Sequence, residues 1–504
     1  MPADTLDKKT SLAKSASWLL IAKTVGFIAS VALPLLVVRR LSPYNVGLYK
    51  QVFLIVNTAV NVLPLGFFMS AYYFLPREPE RRGQIVLNIL LYSLFVGALA
   101  WMALTIWPSL LVRLFADPSL ASYAPLIGLV MALWMLGAYL DSVGVANQDM
   151  KVAMTLILGG SVGRTVLLLG ALAVFGSVKA MIWAAVIHGL LQTTALLTYL
   201  EVRFTGFWRH FDARMLRTQL SYGLPFGFAG LLYTLQGDLH NYFVSHQLGT
   251  VAFAIYSMGT FDLPLAGILS EAVASVLIPR ISFLQKQGRR AEIVSLIGGA
   301  SRKLAAVYFP LTALLAVVAH EFIVFLFTKR FEAAVPIFLI NLCLFPFNAL
   351  LTDPVIRAYA DFRYTLIRIR IGLFAVLCVA LWLGVGRFGG AGAISVVVSL
   401  SVFERSLLAV LIGRRAGVSR KDSWIARDLG KLALAAGASA LVTAVFRHLA
   451  LGWKPFYILA ACGILYAIVY LCSVAALGVV TPEEWGTGRL WLRSMRVRLR
   501  LGAV

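Results

Sequence analysis

Within long apolar stretches of this 504-residue sequence lie a few ionisable side chains: Lys23, Arg164, Asp238, His240, Asp262, Glu271 and the pair Glu404-Arg405. A charge at membrane depth is costly, so such residues by default face a bundle interior or an aqueous cavity and contact a substrate or an ion. Lys23, Arg164, Asp238 and His240 are the candidate substrate-binding residues; Arg164 adds a planar fork that suits phosphate oxygens. Asp262, Glu271 and Glu404 are the candidate ion-coupling residues, able to hold a cation or to titrate with proton movement. Each also has a purely structural reading. Lys23 snorkels toward the headgroups, Arg164 neutralises a neighbouring carboxylate, and the acids pair with Lys23 or Arg164. Asp141 and Asp353 fall at span ends, where they are expected to hydrogen-bond the following turns. His188 and His320-Glu321 read as interhelical or interfacial groups.

No enzyme motif has supporting context. Residues 384–389, GVGRFG, match G-x-G-x-x-G but lie in a short turn with no strand before them, His320-Glu321 has no second His at zincin spacing, and no P-loop is present. No catalytic residue, metal or cofactor is expected. Cys343, Cys378, Cys462 and Cys472 all fall inside apolar runs and read as small packing residues.

The elements that position these groups must be membrane helices. Hydrophobic residues make up 60% of the chain and charged residues only 13%, against about 25% charged in soluble domains. Mean hydropathy is +0.85. Apolar runs of spanning length predict about fourteen helices near residues 16–38, 49–75, 84–108, 124–145, 152–175, 179–200, 220–246, 252–278, 304–327, 335–356, 366–386, 391–413, 430–450 and 456–479. The polar first 17 residues lack a cleavage site and read as retained. The net charge of +23 is scattered through short loops, which argues against a nucleic-acid partner. Lys and Arg concentrate in the even-numbered connections, for example Arg77, Arg81, Arg82, Arg214, Arg217, Arg289, Arg290, Arg414 and Arg415. The odd-numbered ones hold fewer, among them Arg39, Arg40, Arg113 and Arg387. Short-loop basic residues mark the cytoplasmic side, so both termini are expected inside, with a basic cytoplasmic tail at 480–504.

An internal repeat organises the spans. LSPYNVGLY (41–49) aligns with LGTVAFAIY (248–256), VRLFADPSLASYAP (112–125) with VFLFTKRFEAAVPI (324–337), and DSVGVANQDMK (141–151) with DPVIRAYADFR (353–363). An even number of spans separates the copies, so the repeat is parallel. The expected architecture is all-α and polytopic. It comprises an N-lobe of spans 1–6 (1–200), a cytoplasmic inter-lobe linker (201–218), a C-lobe of spans 7–12 (219–413), and accessory spans 13–14 (414–479).

RRLSPYNVGLYK after the first span, the stretch from GLPFGFAGLLYTLQGDLHNYF through HQLGTVAFAIYSMG, and IPRISFLQKQGRRAEI followed by a span containing Pro310 together resemble the multidrug/oligosaccharidyl-lipid/polysaccharide (MOP) exporter superfamily, and within it the Wzx-type polysaccharide flippases. The likeness covers roughly residues 10–415. Ser42-Pro43 stands where the family has Gly-Pro, and the first span offers Lys23 instead of the drug-exporting branch's carboxylate. The resemblance implies a secondary transporter of the cell membrane, not an enzyme, that flips polyprenyl-pyrophosphate-linked oligosaccharide by alternating access. The partners implied are that lipid, membrane lipids and the polymerase or glycosyltransferase machinery of polysaccharide synthesis, with the chain itself a monomer. A cation-coupled exporter of small amphipathic molecules and a membrane glycosyltransferase or polymerase are the alternatives, the second disfavoured by short loops.

Overall fold

In a computed structural model of the chain, which describes residues 32–209, 211–261, 263–352, 355–356, 362–450 and 452–479, every regular element is helical. Hydrocarbon offers nothing that can hydrogen-bond a peptide group, so a spanning segment must satisfy its N–H and C=O groups internally. The helices are α1 (residues 32–40), α2 (Pro43–Val62), α3 (Met69–Phe74), α4 (Arg82–Ile106), α5 (Ser109–Phe115), α6 (Leu120–Ala146), α7 (Met150–Phe175), α8 (Val178–Arg203), α9 (Ala213–Gly259), α10 (Pro264–Lys286), α11 (Arg290–Val317), α12 (Ala319–Phe327), α13 (Val335–Leu342), α14 (Phe362–Ala416), α15 (Ser423–Leu449) and α16 (Pro455–Ala476). Ten helices among the described residues are long and apolar enough to cross a membrane, and α14 holds two expected spans in one element. The protein is thus an all-α polytopic membrane protein. Most of the first expected span, Lys23 included, lies outside the described residues, as do Asp262, Asp353 and the basic tail.

Two of the expected turns shrink to a single residue. Spans 7 and 8 join at Gly249 (φ 81°, ψ 175°) inside α9, and spans 11 and 12 join at Gly389 (φ 59°, ψ −144°) inside α14. Both φ values lie where a Cβ is strained, which accounts for glycine at each. The first connection is built differently. Ser42 caps α2, its hydroxyl accepting from the Asn45 amide at 3.3 Å, and Pro43 supplies a pre-set φ at the first helical position.

The chain divides into two compact units, Met1–Met258 with Arg370–Val397 and Gly259–Ile369 with Val398–Val504. In the first, Phe67, Phe74, Ile85, Tyr139, Leu200 and Phe204 belong to a buried core. Polar side chains stitch this core where water is absent: Tyr139 donates to the Val86 carbonyl at 2.9 Å, Trp134 Nε1 to the Ala185 carbonyl at 3.0 Å, and Asn88 Nδ2 to Gln219 Oε1 at 3.0 Å. In the second unit the fork of Arg447 meets the buried Glu321 carboxylate with three contacts of 2.9–3.0 Å, so Glu321 is an interhelical tie between α12 and α15. Of the four cysteines, all free, only Cys462 is buried; Cys343 and Cys472 are exposed.

The repeat register has a backbone counterpart. Ala116 and Thr328 occupy one column of the alignment, and each has positive φ (53° and 70°) at the end of a short helix, α5 or α12. The preceding Phe115 and Phe327 are both fully buried.

Within the first unit, the turns that follow odd-numbered spans share one end, called here the odd-turn end. The Asp117 carboxylate joins those after spans 1, 3 and 7. It accepts from the Thr250 hydroxyl, from the Ser119 amide at 3.0 Å and hydroxyl at 2.7 Å, and from Tyr44 at 3.1 Å. Gln51 Nε2 donates to Ser245 Oγ at 2.8 Å and to Thr250 Oγ1 at 3.2 Å. Gly47 lies so close to the Thr250 carbonyl that a Cβ there would stand 2.1 Å from the oxygen. Burial by itself would raise the Asp117 pKa. The hydrogen bonds from Thr250, Ser119 and Tyr44 outweigh it, and the carboxyl titrates below its ordinary value of 3.8. A depressed folded pKa means that this stabilisation is fully present above the ordinary value and is lost as pH falls through the folded one. Asp117→Asn is therefore expected to cost about 1–3 kcal/mol at neutral pH, with the gap to the parent closing in strong acid. Thermal melting of both proteins across pH checks this, and a gap independent of pH would show that the charge is not what matters.

Candidate functional site

The first unit contains an open cleft of ≈ 1020 Å³ lined by residues of α2, α5, α9 and the first span of α14. Its walls are apolar, formed by Leu114, Leu235, Leu239, Phe243, Trp382 and Leu383. The polar lining separates into two levels. At depth are Thr58 and Tyr242, with Asp238 directly behind: the Thr58 hydroxyl donates to Asp238 Oδ2 at 2.8 Å. Tyr242 lies one helical turn after Asp238 and within reach of its charge, and its ring packs on Phe115 at 5.5 Å. At the odd-turn end are Arg113 from α5, His246 and Gln247 just before the Gly249 turn, and Arg387 just before the Gly389 turn. Among the described residues Arg113, Arg387 and His246 carry no hydrogen bond or ion pair, and no carboxylate lines the cavity. From Asp238 to Gly249 the helix rises ~16 Å at 1.5 Å per residue, about half of a ~30 Å hydrocarbon core. The cavity therefore runs from the odd-turn end to the middle of the span.

The sequence candidates scatter around this geometry. Asp238 stands behind the cavity floor. His240, two residues on, is engaged by the Tyr256 hydroxyl, which lies 2.8 Å from Nδ1. Arg164 is exposed on α7 and holds its guanidinium 5.3 Å from the ring centre of Trp134, while its charge reaches Tyr49, Asp141 and His188. Glu271 on α10 and Glu404 on α14 belong to the second unit, exposed and half-buried respectively. Lys23 and Asp262 lie outside the described residues. Among those residues no group of three or more His, Cys, Asp or Glu is placed to hold a metal ion.

One expectation is corrected. Asp141 does not bond the turn after its helix: it sits within α6 and its Oδ1 is buried with no hydrogen-bond partner. Asp149 does that work, accepting from Asn147 Nδ2 at 2.9 Å and Tyr199 at 3.0 Å and pairing with Arg203 at 3.0 Å. Sequence reasoning also missed Thr58, which is uncharged, and took Arg113 and Arg387 as markers of sidedness alone. The signal that could have found the arginines is their shared place at turns after odd-numbered spans.

Removing the Thr58 hydroxyl leaves a half-buried carboxylate short of a donor. Thr58→Val is expected to destabilise the protein by about 1–3 kcal/mol, with Thr58→Ser close to the parent. Thermal melting of the purified variants decides, and equal losses in both would point to the methyl group's packing instead.

Comparison with known proteins adds the lineage. The family described as "Polysaccharide biosynthesis protein" matches residues 37–336. Among solved structures, the lipid II flippase MurJ in an inward closed conformation aligns with a TM-score of 0.71 at 13% identity, over 90% of this chain and 98% of that one. An inward-facing multidrug resistance MATE family transporter of the MOP superfamily aligns at 0.63 with 16% identity, over 80% of this chain and 98% of that one. An outward-facing conformation of a MATE family transporter aligns at 0.54 with 16% identity, over 80% and 96%. No curated protein matches the chain in sequence. At these identities the structural likeness establishes the fold, which the chain shares with these flippase and transporter structures. The family match covers more than half of the sequence, and the chain belongs to the polysaccharide biosynthesis protein family.

Proposed function

We propose that this protein flips a polyprenyl-pyrophosphate-linked oligosaccharide from the cytoplasmic to the outer leaflet of the cell membrane, for cell-surface polysaccharide synthesis. The observation that carries the reading is the cavity of the first unit: apolar along its length, polar at mid-span and cationic at one end, in a chain of polysaccharide-biosynthesis family and exporter fold. An amphipathic lipid with an anionic head needs that combination. Its pyrophosphate loses hydration on leaving the headgroup layer, and a cation along the path offsets that loss by Coulomb attraction.

On this reading both termini are cytoplasmic, because Lys and Arg favour the even-numbered connections, and the odd-turn end faces outward. Lobes of residues 1–200 and 219–413 rock about the substrate path while the isoprenoid tail stays in lipid. Lys23 and Arg164 meet the pyrophosphate, and Asp238 and His240 meet the headgroup. Asp262, Glu271 and Glu404 couple transport to a cation. The protein acts as a secondary transporter and a monomer, beside the polymerase and glycosyltransferases that make and use its cargo. A second reading, cation-coupled export of small amphipathic molecules, is favoured by the Asp238 carboxylate standing behind Thr58 and Tyr242 of the cleft.

The test is translocation of a fluorescent polyprenyl-pyrophosphate oligosaccharide in proteoliposomes, at matched reconstitution. The parent is expected to flip it, and Lys23→Ala and Arg164→Ala are each expected to slow flipping about tenfold or more, the scale of one charge-assisted contact. Absence of flipping by the parent across several glycans and imposed gradients would shift the assignment to the second reading.

A further inference from the structure

We propose that the odd-turn end of the first unit's cleft is a binding site for the pyrophosphate of a single-tailed isoprenoid lipid in the outer leaflet, with Arg113 and Arg387 holding the phosphates and the apolar wall of the open cleft lying along the tail. The proposal rests on the flippase reading for which leaflet this end faces, and it adds a distinct site where the lipid sits after crossing.

Three observations carry it. Arg113 and Arg387 come from turns far apart in the chain, line one cavity, and have no ion pair among the described residues. Arginine is the side chain suited to phosphate oxygens, through two parallel donors in a fixed fork. The nearest acid by sequence, Asp117, is already committed to Thr250, Ser119 and Tyr44. Beyond the arginines, the wall of Leu235, Leu239, Phe243, Trp382 and Leu383 continues apolar to Thr58 and Tyr242. That run of ~16 Å is the depth of one leaflet. A lipid lying there has its phosphates at headgroup level, its tail pointing to the midplane and its sugar in water.

The charge count selects the occupant. A glycerophospholipid phosphodiester carries one negative charge and two tails, whereas two forked cations at the end of one apolar cleft match a pyrophosphate on one tail. His246 and Gln247 complete the rim, offering further hydrogen bonds to phosphate oxygens.

The experiment uses the full-length protein in proteoliposomes and a polyprenyl pyrophosphate with a diazirine in its tail. After photolysis, peptide mass spectrometry is expected to find label on residues 235–247 and 382–387. The double variant Arg113→Gln/Arg387→Gln is expected to lose about nine-tenths of it, while Lys23→Ala keeps it. A diazirine polyprenol without phosphate is expected to label these segments weakly and equally in parent and variant. Label that misses both segments, or that is indifferent to loss of the arginines, overturns the proposal. So does displacement by excess phosphatidylglycerol as effective as by unlabelled polyprenyl pyrophosphate, which would make the occupant a resident phospholipid. Flipping is measured in the same vesicles: arginine-dependent label without flipping by the parent refutes the flippase reading and leaves the site, whereas flipping with arginine-independent label refutes the site alone.

Discussion

A polar group in hydrocarbon has no water to fall back on, and this shapes every level of the molecule. For the backbone it leaves helices as the regular element. For side chains it favours buried groups that find a partner on another element, which turns scattered Ser, Thr, Asn and Gln residues into joints of the bundle. Asn88 with Gln219, Gln51 with Ser245 and Thr250, and Thr58 with Asp238 all link segments more than a hundred residues apart. The bidentate ion pair of Glu321 with Arg447 in the second unit follows the same logic with full charges. Removing either partner would strand the other in a low dielectric, which costs more than the pair contributes.

Those joints explain which parts of the structure could be read in the sequence. Helix positions could, because a spanning helix needs ~20 apolar residues and hydropathy reports that directly: 84–108 became Arg82–Ile106 and 152–175 became Met150–Phe175. The breaks inside spans could not. The stretch 304–327 divides at Val318 into α11 and α12, and the polar pair His320-Glu321 just beyond the break is too short an interruption to split an apolar run of spanning length. The site was harder still. A search for ionisable residues finds Asp238 but passes over Thr58, its donor. Arg113 and Arg387 are 274 positions apart and become neighbours of one cavity only through the packing of α5, α9 and α14.

The repeat connects the two levels. Leu41 and Leu248 share a column, as do Tyr49 and Tyr256, and all but Leu248 are buried at 7% exposure or less. In the first unit the two copies of this segment meet, Gly47 of one against Thr250 of the other. Sequence similarity between them is weak because each copy adapts to its own neighbours: Ser42-Pro43 makes a capped helix start where Gly249 makes a one-residue turn. What persists is the position of the turn and the burial beside it, so the register is clearer in Ala116 and Thr328, both of positive φ, than in any shared side chain.

The rim of the cavity and the Asp117 network are mechanically one object. Arg113 sits on the last turn of α5, and the left-handed Ala116 then delivers Asp117 to the Thr250 hydroxyl at the start of span 8. His246 and Gln247 lie on the other side of that turn, and Gln51 of α2 holds both Ser245 and Thr250. A movement of α9 that withdraws Thr250 therefore breaks the bond to Asp117 and releases the segment that carries Arg113. It shifts His246 in the same step, because only Gly249 separates Thr250 from the span bearing the histidine. Side chains presented by turns held in this way change position together when the turns move, without any element dedicated to communication.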